Sequence, residues 1–224
     1  TRAIVVCSPN NPTGYLYSRQ EMEDLKSICL QYNLYLFSDE AYREFSYSGE
    51  YTSALHLEGL DEHVVVMDTV SKRYSACGAR LGAFVTKNKA VYDTAMKFAQ
   101  ARLSPPGLAQ ILGEAAVDLP SSYFDEPKAE YLSRRDLVVN RLNKMPGVFC
   151  PNPGGAFYAI ARLPIDDCDI FCQWLLESFS HNDKTVMLAP ATGFYGTPGL
   201  GKNEVRLAYV LNRNDLDEAM DCLE

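Results

Sequence analysis

Four short runs near the start of the chain are apolar without alternation: Ala3–Cys7, Leu34–Ser38, Val64–Asp68 and Leu81–Thr86. A strand with one wet face alternates polar and apolar residues. A strand that does not alternate is buried on both faces, which is the pattern of a parallel sheet covered by helices above and below. The segments between the runs agree with that reading. SPNNPTG at 8–14 is dense in turn-forming residues. Ser18 stands three residues before Glu21, a capping box, and Met22, Leu25, Ile28, Cys29 and Tyr32 form a helical stripe behind it. Strands and helices in alternation predict an α/β architecture with a mostly parallel sheet and flanking helices.

The texture changes after residue 88. Helices are predicted over 88–101 and 107–118, separated by Pro105-Pro106, and a long amphipathic pattern runs from Tyr123 to Met145. Strand-like Ala156–Ala161, a helix over 167–180, strand-like Thr185–Leu188, a Gly/Pro loop at 190–201, strand-like Glu204–Val210 and a helix capped by Asn212 complete the chain. This half reads as a smaller α+β domain, with the boundary near residue 125: a larger domain over 1–125 and a smaller one over 126–224. A length of 224 residues accommodates one or two domains.

Charge and composition exclude several classes. The net charge of −8 lacks the basic footprint of a nucleic-acid binder. No uninterrupted apolar run approaches the ~20 residues that span a bilayer. The first residues, TRAIVVCSPNNPTG, lack the apolar core and cleavage site of a signal peptide; they open inside a strand without a Met, and the chain is expected to be a fragment or a processed product. Seven cysteines at 7, 29, 77, 150, 168, 172 and 222 form no CxxC, and the count is odd. Reduced thiols and a cytoplasmic location are expected. His56, His63 and His181 have no metal-ligand spacing, so no metal site is expected. Cys168 and Cys172, one helical turn apart, and Trp174 are expected to pack in the core.

Chemistry concentrates after the apolar runs. Ser71-Lys72 follows the third run, at the carboxyl end of a strand, where open α/β sheets place their ligands. Arg80 lies eight residues on and has the fork that grips a phosphate, to which the hydroxyls of Thr69 and Ser71 can add hydrogen bonds. Asp39, ending the second run, either caps a turn or pairs with a cationic ring nitrogen, and Tyr42 shares its side if a helical turn begins there. Asn11 is a turn residue by composition. In GGAFY, Gly154 and Gly155 turn the chain into a strand on whose two faces Phe157 and Tyr158 pack.

SPNNPTG, SDEAY, SKRYSACGARLG, GGAFY and NEVRLAY, in that order and spacing, resemble the pyridoxal-phosphate-dependent aminotransferases of class I/II, the fold type I family. The likeness covers essentially the whole chain. It implies that Lys72 is the Schiff-base lysine, which attacks as a neutral amine and later moves the substrate α-proton. It implies that Asp39 keeps the pyridine nitrogen protonated, that Tyr42 and Asn11 hydrogen-bond the cofactor's phenolic oxygen, and that Thr69, Ser71 and Arg80 anchor its phosphate. Arg206 matches the arginine that grips the substrate α-carboxylate, with Asn11 beside it. Arg102, in ARLSPPG, lies where dicarboxylate-specific members carry a basic residue that reaches across the dimer to the distal carboxylate; as a helix-terminal cation it also suits the dipole. Asn11-Pro12 is a candidate cis peptide.

The overall cast resembles bacterial aspartate aminotransferases, which implies aspartate and 2-oxoglutarate as substrates and a homodimer as the working unit. The family's chains are longer, and this one begins at the strand before NPTG. The expected consequence is a partial large domain that does not turn over alone. The same motifs would serve another fold type I enzyme, a β-lyase or a synthase, or the aminotransferase-like domain of a transcription regulator.

Overall fold

The computed structural model describes residues 1–224 and forms two sheets. The first has the order β1-β2-β3-β4, with β1 (Ala3–Cys7), β2 (Tyr35–Asp39), β3 (Val64–Thr69) and β4 (Gly82–Val85). β1 and β2 are parallel, as are β2 and β3. A parallel neighbour requires a crossover, which α1 (Arg19–Tyr32) supplies between β1 and β2. The capping box forms as its sequence predicts: Ser18 Oγ accepts from the Glu21 amide at 3.3 Å and the Glu21 carboxylate accepts from the Ser18 amide at 2.7 Å. Asn33 closes the helix in the left-handed conformation. Met22 and Cys29 of the helical stripe are buried against the sheet with Val6, Leu36, Val64 and Val66.

One strand reverses within the mostly parallel sheet that the sequence predicts. β4 runs antiparallel to β3, because the 70–81 connection holds only single-turn helices and folds back at the same end of the sheet instead of crossing over it. The sheet is also not covered on both faces. Every residue of β4 is exposed, Val5 of β1 is 71% exposed, and α3 (Lys89–Arg102) has no buried residue. α4 (Gly107–Val117) buries only Ala109 and Ala116, leaving Leu108 and Ile111 in solvent.

α5 (Asp125–Leu142) leads into the second, antiparallel sheet, ordered β5-β7-β6: β5 (Tyr158–Arg162), β6 (Ala189–Pro190) and β7 (Glu204–Ala208). The strand expected at Thr185–Leu188 is displaced to the two residues that follow it. Thr185 Oγ1 is instead bonded to the Leu175 carbonyl, and Val186 packs with Leu175 and Cys222. α6 (Cys168–Glu177) ends three residues earlier than its pattern suggests, and α7 (Arg213–Asp221) is N-capped by Asn212 as expected. Cys168 and Cys172 are buried. Trp174 is not: it is 45% exposed, stacked on Phe171 and tilted against Phe179 at the rim of α6.

The larger core joins the two halves. Val138, Val139 and Leu142 of α5, Ala159 and Ala161 of β5, Val205 and Leu207 of β7, and Leu216 and Met220 of α7 pack with Tyr42 and Phe45, which come from the turn after β2. The side chains that follow β2 are therefore fixed by the second half of the chain.

Candidate active site

Parallel register sets three strand ends level. Cys7 pairs with Asp39, and Asp39 with Met67. After each strand the chain turns at the same rim, which brings together the 8–14 loop, the 40–45 turn and α2 (Val70–Arg73).

At the end of β2, successive side chains take opposite sides. Glu40 goes inward. It is fully buried, and its Oε1 accepts from Ser38 Oγ at 3.1 Å, Ser53 Oγ at 3.0 Å and the Ala54 amide at 2.9 Å. Asp39 stays at the rim. One oxygen accepts from the Ala41 amide at 3.1 Å, the turn-capping role its sequence allowed, and the other makes no hydrogen bond within the chain. Cys7 sits beside it; burial, first, raises its thiol above the usual range, with the Asp39 carboxylate adding to the shift.

Tyr42 is buried, edge-on to Phe157 and Tyr158. Its hydroxyl lies 3.2 Å from that of Tyr158. Burial, then the Tyr158 hydroxyl, pushes the Tyr42 phenol well above its ordinary range, so it remains a neutral hydroxyl at physiological pH. The Lys72 ammonium lies 5.8 Å from the Tyr42 ring centroid and 6.0 Å from that of Phe157, half-buried over two aromatic faces. Lys72 is placed there by α2, whose N-cap is Thr69: Thr69 Oγ1 accepts from the Ser71 amide at 3.1 Å and donates to Ser71 Oγ at 2.8 Å.

A half-buried ion cluster braces this turn. Arg73, next to Lys72, is only 8% exposed and grips Asp68 through Nη2. Arg43, next to Tyr42, reaches the same carboxylate at 3.2 Å. Glu44 lies 3.2 Å from Arg43 and 3.6 Å from Arg73. Asp68 thus ties the turn carrying Tyr42 to the turn carrying Lys72.

Arg206 arrives from β7. Its Nη1 donates to Asn11 Oδ1 at 3.0 Å, and its guanidinium lies 4.9 Å from the Tyr158 centroid and 5.1 Å from that of Phe194. The approach depends on small residues. Gly155 leaves room for Pro9 and the Phe45 carbonyl, each of which would stand under 3 Å from a Cβ there. The Ser8-Pro9 and Asn11-Pro12 bonds are both cis.

Lys72, Asp39, Tyr42, Asn11 and Arg206 therefore converge, with Thr69 and Ser71 at the start of the Lys72 helix. Arg80 is exposed, in left-handed backbone, and donates to the Cys77 carbonyl of its own loop at 3.1 Å; no hydrogen bond links it to Thr69 or Ser71. Arg102 ends α3 in solvent and pairs with nothing in the chain. Two further side chains border the site: Cys7, which the sequence did not single out, and Tyr158, whose strand the family resemblance places near the substrate. Cys7 was open to the strand-end rule that marked Lys72. Tyr158 carried no sequence signal separating it from Phe157: both were expected to pack on a strand, yet Phe157 is buried in the core and Tyr158 faces the rim.

Residues 1–223 match the family Aminotransferase class I and II. The chain belongs to that family. The aspartate aminotransferase of Thermotoga maritima is 35% identical over 227 residues, covering all of this chain and 55% of that protein. Among solved structures, the alanine aminotransferase of Pyrococcus furiosus superposes with a TM-score of 0.86 at 33% identity, over 100% of this chain and 56% of that one. The aromatic aminotransferase of Pyrococcus horikoshii gives 0.89 at 30% identity, over 100% and 59%. The chain spans a little over half the length of the relatives it matches. Its fold is the mixed α/β arrangement of those aminotransferases. No helix is long and apolar enough to cross a membrane.

Proposed function

We propose that the protein is a pyridoxal-phosphate-dependent aminotransferase that moves an amino group between aspartate and 2-oxoglutarate. The observation that carries the reading is the convergence, at one sheet rim, of an unpaired half-buried lysine, a carboxylate with one free oxygen, a neutral tyrosine hydroxyl and a guanidinium. That donor set fits the cofactor: Asp39 would hold the ring nitrogen, Tyr42 and Asn11 the phenolic oxygen, and Thr69 and Ser71 the phosphate; Arg80, exposed and bonded within its own loop, would have to turn inward to join them. Bound pyridoxal phosphate supplies an aldehyde for an amine and a protonated ring that takes up electrons when the substrate α-carbon loses its proton.

The chain's own residues supply the rest. Lys72 stands over two aromatic faces with no carboxylate partner, which leaves its amine free to act as the base at the α-carbon. Asp39 offers its free oxygen to a cationic ring nitrogen. Arg206 offers a planar fork to the α-carboxylate, and Asn11 holds that fork in place beforehand. Tyr158 and Phe194 flank the guanidinium and limit water around it.

Aspartate is favoured by the aspartate aminotransferases among the relatives, with Arg102 assigned to the distal carboxylate across a homodimer. The exposed apolar residues of β4, α3 and α4 support such a dimer, and the isolated 224-residue chain is expected to be inactive. We place the division between the cofactor-binding portion and the smaller domain near residue 125. Seven free thiols fit a cytoplasmic setting.

The test is borohydride reduction of the full-length protein, and of this chain beside it, in the presence of pyridoxal phosphate, followed by peptide mapping. A single pyridoxyl label on Lys72 is expected. A label on Lys72 only in the full-length protein would keep the function and show that the rest of the protein is needed for cofactor binding. Scattered labelling, with Lys72 no better than Lys97 or Lys144, would limit the likeness to the fold.

A further inference from the structure

Tyr158 touches both halves of the site. Its hydroxyl is 3.2 Å from the Tyr42 hydroxyl and its ring lies 4.9 Å from the Arg206 guanidinium. Sheet register creates the second contact. Tyr158 pairs with Ala208, and Ile160 with Arg206, so Tyr158 and Arg206 are diagonal neighbours on one face of the β5-β7 pair. Phe157 and Tyr42 pack against the ring at 5.0 and 5.7 Å and fix its position.

We propose that Tyr158 is a positioning residue that couples the cofactor-side hydroxyl of Tyr42 to the carboxylate-side guanidinium of Arg206. The proposal rests on the pyridoxal phosphate reading given above. A phenol carries one proton. If Tyr42 donates to the cofactor's phenolic oxygen, its oxygen is left as an acceptor, and Tyr158 must be the donor in the hydroxyl pair. A donor that itself accepts a hydrogen bond is polarised and donates more strongly. Tyr158 therefore strengthens the hydrogen bond that Tyr42 makes to a negatively charged oxygen. Its ring separately holds the Arg206 fork by a cation–π contact.

The two links come apart by substitution. Tyr158→Phe keeps the ring and removes the donor. Tyr42 then stabilises the deprotonated cofactor oxygen less well, and the pH midpoint at which the bound cofactor's visible band changes is expected to rise by about half a unit. Binding of maleate, a dicarboxylate probe, is expected to stay within about twofold of wild type by the same contact's survival. Tyr158→Leu removes both links: the midpoint rises equally and maleate binds about 3- to 10-fold more weakly. In a Tyr42→Phe background, Tyr158→Phe is expected to leave the midpoint where Tyr42→Phe alone puts it.

A Tyr158→Phe midpoint at the wild-type value, or a shift that persists without the Tyr42 hydroxyl, overturns the coupling. Unchanged maleate binding in Tyr158→Leu overturns the Arg206 link. A full-length wild-type protein that forms no visible band with pyridoxal phosphate overturns the functional reading itself, whereas a normal wild-type band with silent variants overturns only the role of Tyr158.

Discussion

Gly155→Ala tests how tightly the site's loops are packed. A Cβ at 155 would stand 2.6 Å from Pro9 Cβ, 2.7 Å from Pro9 Cγ and 2.7 Å from the Phe45 carbonyl oxygen. Optimal carbon contacts lie near ~3.5–4.0 Å, so the ring of Pro9 must retreat by about 1 Å. The Phe45 oxygen is less free to move, because it accepts from the Ala156 amide at 2.9 Å, while the Gly155 amide itself donates to Gly14 at 2.9 Å. Overpacking costs about 1–3 kcal/mol, and loss of one backbone hydrogen bond about 1 kcal/mol more. The expected destabilisation is about 2–4 kcal/mol, read as a lowered urea midpoint followed by circular dichroism. Pro9 lies two residues before Asn11, so in the full-length protein the same shift should loosen the Asn11–Arg206 contact and raise KM for the amino acid more than it lowers kcat. Gly193→Ala is the control: nothing lies within 4 Å of a Cβ there, and stability is expected to stay within about 0.5 kcal/mol of wild type. A Gly155→Ala protein as stable as the control would refute the packing argument.

Further outcomes follow from the same geometry. In the full-length protein, Lys72→Ala is expected to lower transamination by about 10²–10⁴-fold or more while barely moving the thermal midpoint, since Lys72 makes no ion pair; retained turnover would exclude it as the base. Asp68→Asn leaves the buried Arg73 without its main counter-charge and should cost about 2–4 kcal/mol by denaturant titration; a change under about 0.5 kcal/mol would mean the cluster does not brace the site. Burial pushes the Cys150 thiol up to about 12 and the Cys172 thiol up to about 11. A raised pKa lowers the thiolate fraction at neutral pH, so iodoacetamide at pH 8 is expected to label exposed Cys77 first and to reach Cys150 and Cys172 only on unfolding or at much higher pH. Rapid labelling of Cys150 in the folded protein would contradict its burial.

What the sequence determined by itself is local. Hydrogen-bonded periodicity and capping act over a few residues. Four apolar runs therefore marked β1, β2, β3 and β4, Ser18 and Glu21 fixed the start of α1, and Asn212 capped α7. The strand-end rule located Lys72 and Asp39 for the same reason: a residue's place after an apolar run is written in adjacent positions. Only the tertiary structure decided which distant groups meet. Arg206 and Asn11 lie 195 positions apart and touch because the β5-β7 sheet and the turn after β2 share one core. β4 is antiparallel because its short connection cannot cross the sheet. Trp174 sits at a rim where its periodicity suggested an interior. Tyr158 and Phe157 are adjacent and chemically alike, yet one is buried in the core and the other sits between Tyr42 and Arg206. Strand direction and the packing of Phe157 made that division, and neither is encoded in spacing along the chain.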